Sequence, residues 1–121
     1  LLTLAEHADI AITGIGTFET SFLTRYEIMS QEEIQSLKDA DAIGDIALQF
    51  LSRDGKPVDT DLTRRMIKAD IFQISKNSRL SIGIAEGVYK AEIIHTALSL
   101  HLLNAFFTNK ETALSLLSFP S

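Results

Sequence analysis

The sequence predicts an α/β domain with a largely parallel sheet, flanking helices and one inserted β-hairpin. Three observations carry that prediction. Short apolar, β-branched runs alternate with amphipathic stretches of helical period, as in strands joined by crossover helices. The stretch 80–113, LSIGIAEGVYKAEIIHTALSLHLLNAFFTNKETA, holds a full strand–helix–strand unit. Asp54-Gly55, a strong hairpin turn signal, interrupts the alternation once.

Taken in order, Leu1 to His7 reads as the end of a helix or as a lead-in. The start Leu-Leu-Thr-Leu has no initiator methionine and no basic signal-peptide region, so a fragment of a longer protein is expected. Asp9 to Ile15 is a buried strand by its continuous apolar pattern. Gly14 and Gly16 stand where the chain leaves that strand, and glycine there lets the backbone approach a ligand closely. Thr17 to Ile28 has no clear period and reads as a loop. Ser30 opens a helix: Glu33 lies at the capping-box spacing, and Ile34 and Leu37 form the buried side.

A strand follows, with Ile46, Leu48 and Phe50 alternating against Ala47, Gln49 and Leu51. It turns at Asp54-Gly55 and returns through Lys56-Pro57-Val58, where Pro57 places the return at a sheet edge. Arg64 to Lys68 reads as another short strand, and Asp70 as the cap of a short helix running through Lys76. Ser81 to Ala85 is the next strand, and Gly87 punctuates it. From Val88 to Leu103 the residues Ala91, Ile94, Ala97, Leu98 and Leu102 fall at helical spacing. Ala105 to Thr108 is a strand, and Thr112 to Leu117 a final amphipathic helix. The crossover unit should be right-handed and parallel, with ligands beyond the carboxyl ends of its strands. Glu86, Gly87 and Lys90 at one strand end, and Thr108 and Asn109 at the next, then form two edges of one pocket.

The 121 residues, 45% apolar and 22% charged, suffice for one domain with a core. A net charge of −5 argues against a nucleic-acid surface within these residues. No apolar run approaches the ~20 residues that span a membrane. The absence of cysteine excludes disulfides and thiol chemistry, and cytoplasm is the default compartment.

Gly14-Ile15-Gly16 falls short of a dinucleotide fingerprint, because the third residue after Gly16 is Glu19, and no Walker pattern exists. A structural turn and a ligand loop both remain open for it. Asp45, after Gly44, is by residue type most often a turn or cap residue. A carboxylate there also suits sugar hydroxyls, because it offers several lone pairs. Lys90, in the first turn of the crossover helix, is either a solvated lysine or one that joins the helix N-terminus in binding phosphate. His7, His95 and His101 are scattered off any shared helical face, so no metal site is expected. No nucleophile elbow and no histidine-paired nucleophile is present, so neither catalysis nor a cofactor is indicated.

Four segments together resemble the C-terminal effector-binding domain of the SorC (DeoR-like) family of bacterial sugar-responsive transcription regulators. They are ADIAITGIGT at 8–17, DAIGDIALQF at 41–50, IGIAEGVYK at 82–90 and FTNKETA at 107–113. Their order and spacing match the second half of that domain across nearly the whole chain. The resemblance implies a fold similar to the sugar-phosphate isomerase and CoA-transferase group. It also implies a regulator that binds a phosphorylated sugar or related metabolite and so changes its oligomeric state or DNA affinity. By the resemblance, Asp45 contacts sugar hydroxyls, Lys90 holds the phosphate, and Gly14, Gly16 and Thr17 belong to the loop lining the pocket, with Glu86 and Gly87 beside the lysine. The family's usual Ala-Gly-Gly before the lysine is Ala-Glu-Gly here, and its Thr-Asp-Glu is Thr-Asn-Lys. Operator DNA would be contacted through an N-terminal domain outside this chain. The first half of the effector domain, with its other phosphate loop, is outside it too.

The expected function is therefore a non-enzymatic effector-sensing domain that forms a homo-oligomer and has no membrane partner. Phe106, Phe107, Leu116, Leu117 and Phe119 supply apolar surface for the core and for a partner copy. The alternative is a sugar-phosphate isomerase or aminosugar-phosphate deaminase of the related fold. Such deaminases carry Asp-Gly-His after Gly-Ile-Gly, where this chain has Thr17-Phe18-Glu19. A third reading is a dimerisation module in which Asp45 and Lys90 are surface charges.

Overall fold

The structure, a computed structural model, describes residues 1–18 and 20–120. Glu19, the residue that breaks the glycine fingerprint, lies outside the described residues. The elements run α1 (Leu2–Glu6), β1 (Ile10–Gly16), α2 (Phe22–Arg25), α3 (Gln31–Asp39), β2 (Ala42–Ile46) and β3 (Gln49–Ser52). They continue with α4 (Asp61–Arg65), α5 (Ile71–Asn77), β4 (Leu80–Ile84), a 3-10 turn (Val88–Lys90), α6 (Ala91–Ser99), β5 (Ala105–Phe107) and α7 (Lys110–Leu116). No helix among the described residues is long and apolar enough to cross a membrane.

One five-stranded sheet has the order β3-β2-β1-β4-β5. Strands β1, β4 and β5 are parallel, the arrangement the alternating pattern predicts, and β2 and β3 are joined to them antiparallel. The hairpin itself differs from the expectation. The predicted strand over Ile46–Leu51 is broken at Ala47-Leu48, a two-residue loop with φ of 52° and 68°. Positive φ at both positions is the type I′ condition that glycine or asparagine usually meets. Here the Leu48 N–H donates to the Asp45 carboxylate (Oδ2, 3.1 Å) and the Ala47 N–H to the Gly14 carbonyl (3.4 Å). The Asp54-Gly55 turn also forms, with Ser52 donating to the Lys56 carbonyl, but the return makes only an isolated bridge from Pro57 to Leu51 at the sheet edge.

Two further elements depart from the sequence reading. Arg64–Lys68 lies at the end of a helix and beyond it, not in a strand. Thr60 accepts from the Thr63 N–H (3.2 Å) while Thr63 Oγ1 accepts from the Thr60 N–H (2.8 Å). This capping box starts α4 at Asp61 with threonine in the place usually held by Glu or Gln. The crossover helix ends at Ser99, short of Leu103. Leu102 donates to the Ala97 carbonyl and His101 to that of Leu98, with His101 at φ 57°, which is a Schellman stop. Leu102 and Leu103 reach the core from beyond the helix end, so the apolar period overruns the helix. The capping box at Ser30–Glu33 and the Asp70 cap of α5 form as the sequence predicts. Within the loop read over Thr17–Ile28, Ser21 caps the short α2 (Leu23 N–H to Oγ, 3.2 Å).

The core is in two parts. Ile15, Ile46, Leu51, Ile71, Ile74, Ile93 and Ile94 join α5 and α6 to one face of the sheet. Met29, Leu37, Phe50 and Val58, with the partly buried Ile34 of α3 and Leu62 of α4, form a second cluster around the hairpin. Among the described residues, the parallel strands are covered on one face only. On the opposite face Ile10, Ile12, Ile84 and Phe107 are each about half or more exposed. A Cβ added at Gly14 on that face would meet nothing within 4 Å. Because β2 pairs with β1 only at Ile15 and Gly16, the outer edge of β1 from Ile10 to Thr13 has no strand partner among the described residues. Of the apolar residues in the last third, Phe106 and Leu116 pack against the core, Phe119 stacks on His95, and Phe107 and Leu117 remain exposed.

Candidate functional site

Parallel strands bring their carboxyl ends together, and two clefts open there. The first, of about 300 Å³, is lined by Gly14, Gly16, Thr20, Ser21, Phe22, Asp45, Leu48 and Lys90, among others. The second, of about 530 Å³, is lined by Ile84, Ala85, Glu86, Lys90, Phe107, Thr108 and Asn109. Lys90 belongs to both.

Its position is local in origin. After β4 the chain turns at Gly87 (φ 127°), passes through the 3-10 turn and enters α6 with Lys90 as the N-terminal flanking residue. The turn is tied to α7: the Gly87 N–H donates to Thr112 Oγ1 (2.8 Å), and Thr112 is fully buried. That amide is therefore occupied by the protein itself. Lys90 is half-buried and makes no ion pair among the described residues. Glu86 is not its salt-bridge partner; the Glu86 carboxylate instead accepts from Asn109 Nδ2 (3.5 Å), whose own Oδ1 caps α7 through the Thr112 N–H (2.9 Å).

Asp45 reaches the first cleft from the other side, through the pairing of Gly16 with Asp45 across β1 and β2. Glycine leaves the carboxylate its place, since a Cβ at Gly16 would stand 2.8 Å from Asp45 Oδ1 and push that side chain aside. Asp45 is 8% exposed. Burial pushes its carboxyl above the usual range, opposed by the Leu48 N–H and by the positive charge of Lys90. Oδ2 serves the hairpin turn, and Oδ1 has no hydrogen-bond partner among the described residues. The cleft thus sets an anionic acceptor against a cation, with apolar walls between.

Of the residues singled out from sequence, Gly14, Gly16, Asp45 and Lys90 meet at the first cleft. Glu86 and Lys90 meet Thr108 and Asn109 at the second. Thr17 and Gly87 line neither; Thr17 is buried, and its hydroxyl has no hydrogen-bond partner among the described residues. Thr20, Ser21 and Phe22 are not legible as site residues in the sequence because their segment has no apolar period, although Ser21 ahead of Phe22-Leu23 is a recognisable cap signal. The histidines stay apart in local roles: His7 Nδ1 lies 2.8 Å from the Thr3 carbonyl, and His95 Nε2 lies 3.2 Å from that of Pro120.

Residues 1–118 match the family described as "Putative sugar-binding domain". The chain is 29% identical over 125 residues to the transcriptional regulator LsrR of Klebsiella pneumoniae subsp. pneumoniae, covering 100% of this chain and 38% of that protein. It is 32% identical over 109 residues to the sorbitol operon regulator of Klebsiella pneumoniae, covering 89% and 34%. The crystal structure of the full-length sorbitol operon regulator SorC from Klebsiella pneumoniae superposes with a TM-score of 0.81 at 30% identity, covering 96% of this chain and 38% of that one. The chain thus spans little more than a third of the length of these relatives.

Proposed function

The chain belongs to this family of sugar-binding domains, and from that membership we propose that it is effector-sensing sequence of a bacterial transcription regulator of carbohydrate metabolism. Its ligand is a phosphorylated sugar or related metabolite. Lys90 meets the anionic end, Asp45 Oδ1 accepts from hydroxyls, Gly14 and Gly16 let the ligand approach the backbone, and Glu86 borders the phosphate side. Thr17 and Gly87 act from behind, holding the loop and the turn. The observation that carries this reading is a half-buried lysine and a buried carboxylate lining one cleft, the lysine without an ion pair and one carboxylate oxygen without a hydrogen bond among the described residues. The relatives reported above are named as regulators, which supports sensing over the isomerase or deaminase alternative.

The site works within a larger body. Parallel sheets are ordinarily covered on both faces, and the open face of β1, β4 and β5, together with the free edge of β1, supports further protein packing there. Operator DNA is contacted outside these 121 residues, the working form is a homo-oligomer, and the compartment is the cytoplasm.

Calorimetry tests the ligand assignment. A charge-assisted hydrogen bond is worth about 1.5–3 kcal/mol, so Lys90→Ala in the full-length regulator should weaken a sugar phosphate about ten- to a hundredfold. The ligand-free melting temperature should barely move. A variant that binds every sugar phosphate as tightly as the parent chain would remove Lys90 from the site.

A further inference from the structure

We infer that Phe22 is a stacking platform for the carbon face of a cyclic sugar, which makes the first cleft selective for ring-form sugar phosphates over ringless polyol phosphates; this rests on the phosphosugar reading above. Phe22 lines the cleft with Asp45 and Lys90 and is 64% exposed, so its ring is available to a ligand there. It is held there. The Ser21 cap fixes the start of α2, Leu23 on the same short helix packs into the second core cluster, and the Tyr26 ring lies 4.7 Å from that of Phe22, tilted by 47°.

The chemistry of the walls is complementary to one kind of ligand. An aromatic face is electronegative and attracts the weakly positive C–H groups on one side of a sugar ring. The same ring carries hydroxyls at its rim, suited to the carboxylate, and the phosphate suits the ammonium. A cyclic sugar presents its C–H face ready-made. A ringless polyol must freeze several torsions to do so, and that ordering weakens binding.

The experiment titrates the full-length protein that carries this chain with glucose 6-phosphate, with sorbitol 6-phosphate as its ringless counterpart, and with inorganic phosphate. The parent chain should favour glucose 6-phosphate over sorbitol 6-phosphate. Phe22→Ala should weaken glucose 6-phosphate about three- to tenfold and leave the other two nearly unchanged, while Phe22→Tyr, which keeps a ring, restores the affinity. Proton NMR should show the sugar C–H resonances moved upfield by the ring current in the parent chain and not in Phe22→Ala. Equal weakening of all three probes, or no loss for glucose 6-phosphate, overturns the platform and leaves the Lys90 assignment standing. Failure of the full-length parent protein to bind any phosphate-bearing probe overturns the phosphosugar reading itself.

Discussion

Asp45 carries two duties that substitution separates. Its Oδ2 supports the Ala47-Leu48 turn through the Leu48 N–H at 3.1 Å, and it is nearly buried. Removing a charged acceptor from such a bond costs about 1.5–3 kcal/mol. Asp45→Ala should therefore lower the melting temperature by roughly 6–12 °C, at about 4 °C per kcal/mol for a chain of this size. Asp45→Asn keeps an acceptor for Leu48 and removes the buried charge, so its stability at neutral pH should stay within about 1 kcal/mol of the parent. The pH dependence has a definite sign. Burial raises the folded-state pKa of Asp45, so the folded chain holds this proton more tightly than the unfolded chain does. Its contribution is most favourable below the ordinary carboxylate pKa of about 3.9 and is lost as pH rises through the higher folded value. Urea unfolding of parent and Asp45→Asn across that window should show the parent falling relative to the variant as pH rises. An Asp45→Ala variant as stable as the parent, or parallel pH profiles for parent and Asp45→Asn, would refute the reasoning.

His101→Gly should stabilise the chain by about 1 kcal/mol, because glycine occupies the left-handed stop of α6 (φ 57°) without strain; thermal melts check it. Gly44→Ala should destabilise by about 3 kcal/mol, since its Cβ would lie 2.3 Å from the Gly16 carbonyl oxygen and 3.2 Å from Ile93, and backbone cannot step aside; denaturant unfolding reads the loss. The open sheet face should bind a hydrophobic dye in the isolated chain, and Ile12→Ser with Ile84→Ser should cut that fluorescence while leaving the melting temperature within a few degrees, as these side chains are about two-thirds and half exposed.

Several features of the fold are local enough to read directly. The Ser30–Glu33 box, the Asp70 cap and the turn at Gly87 depend on hydrogen bonds and dihedrals within a few residues, and each appears where the sequence places it. The helix at Asp61 escaped because Thr63, not Glu or Gln, completes its box. The hairpin escaped for a different reason. Ala47 and Leu48 carry none of the glycine or asparagine signals of a type I′ turn, and they hold positive φ only because Asp45 and the Gly14 carbonyl, from a strand distant in sequence, engage their amides.

The candidate site divides along the same line. Residue types and strand ends point to Gly14, Gly16, Asp45 and Lys90, since an acceptor, a cation and side-chain-free backbone at the carboxyl ends of parallel strands are the parts of a ligand pocket. The sequence by itself thus determined the α/β alternation, the caps and the chemistry available. Only the tertiary structure decided that Asp45 faces Lys90 across one cleft, that Phe22 forms its wall, that Asn109 and not Lys90 engages Glu86, and that one face of the parallel strands stays open. Local signals act through bonds spanning three or four residues, whereas strand order and facing side chains follow from burying apolar area between segments far apart in the chain, and no short window of sequence contains both partners.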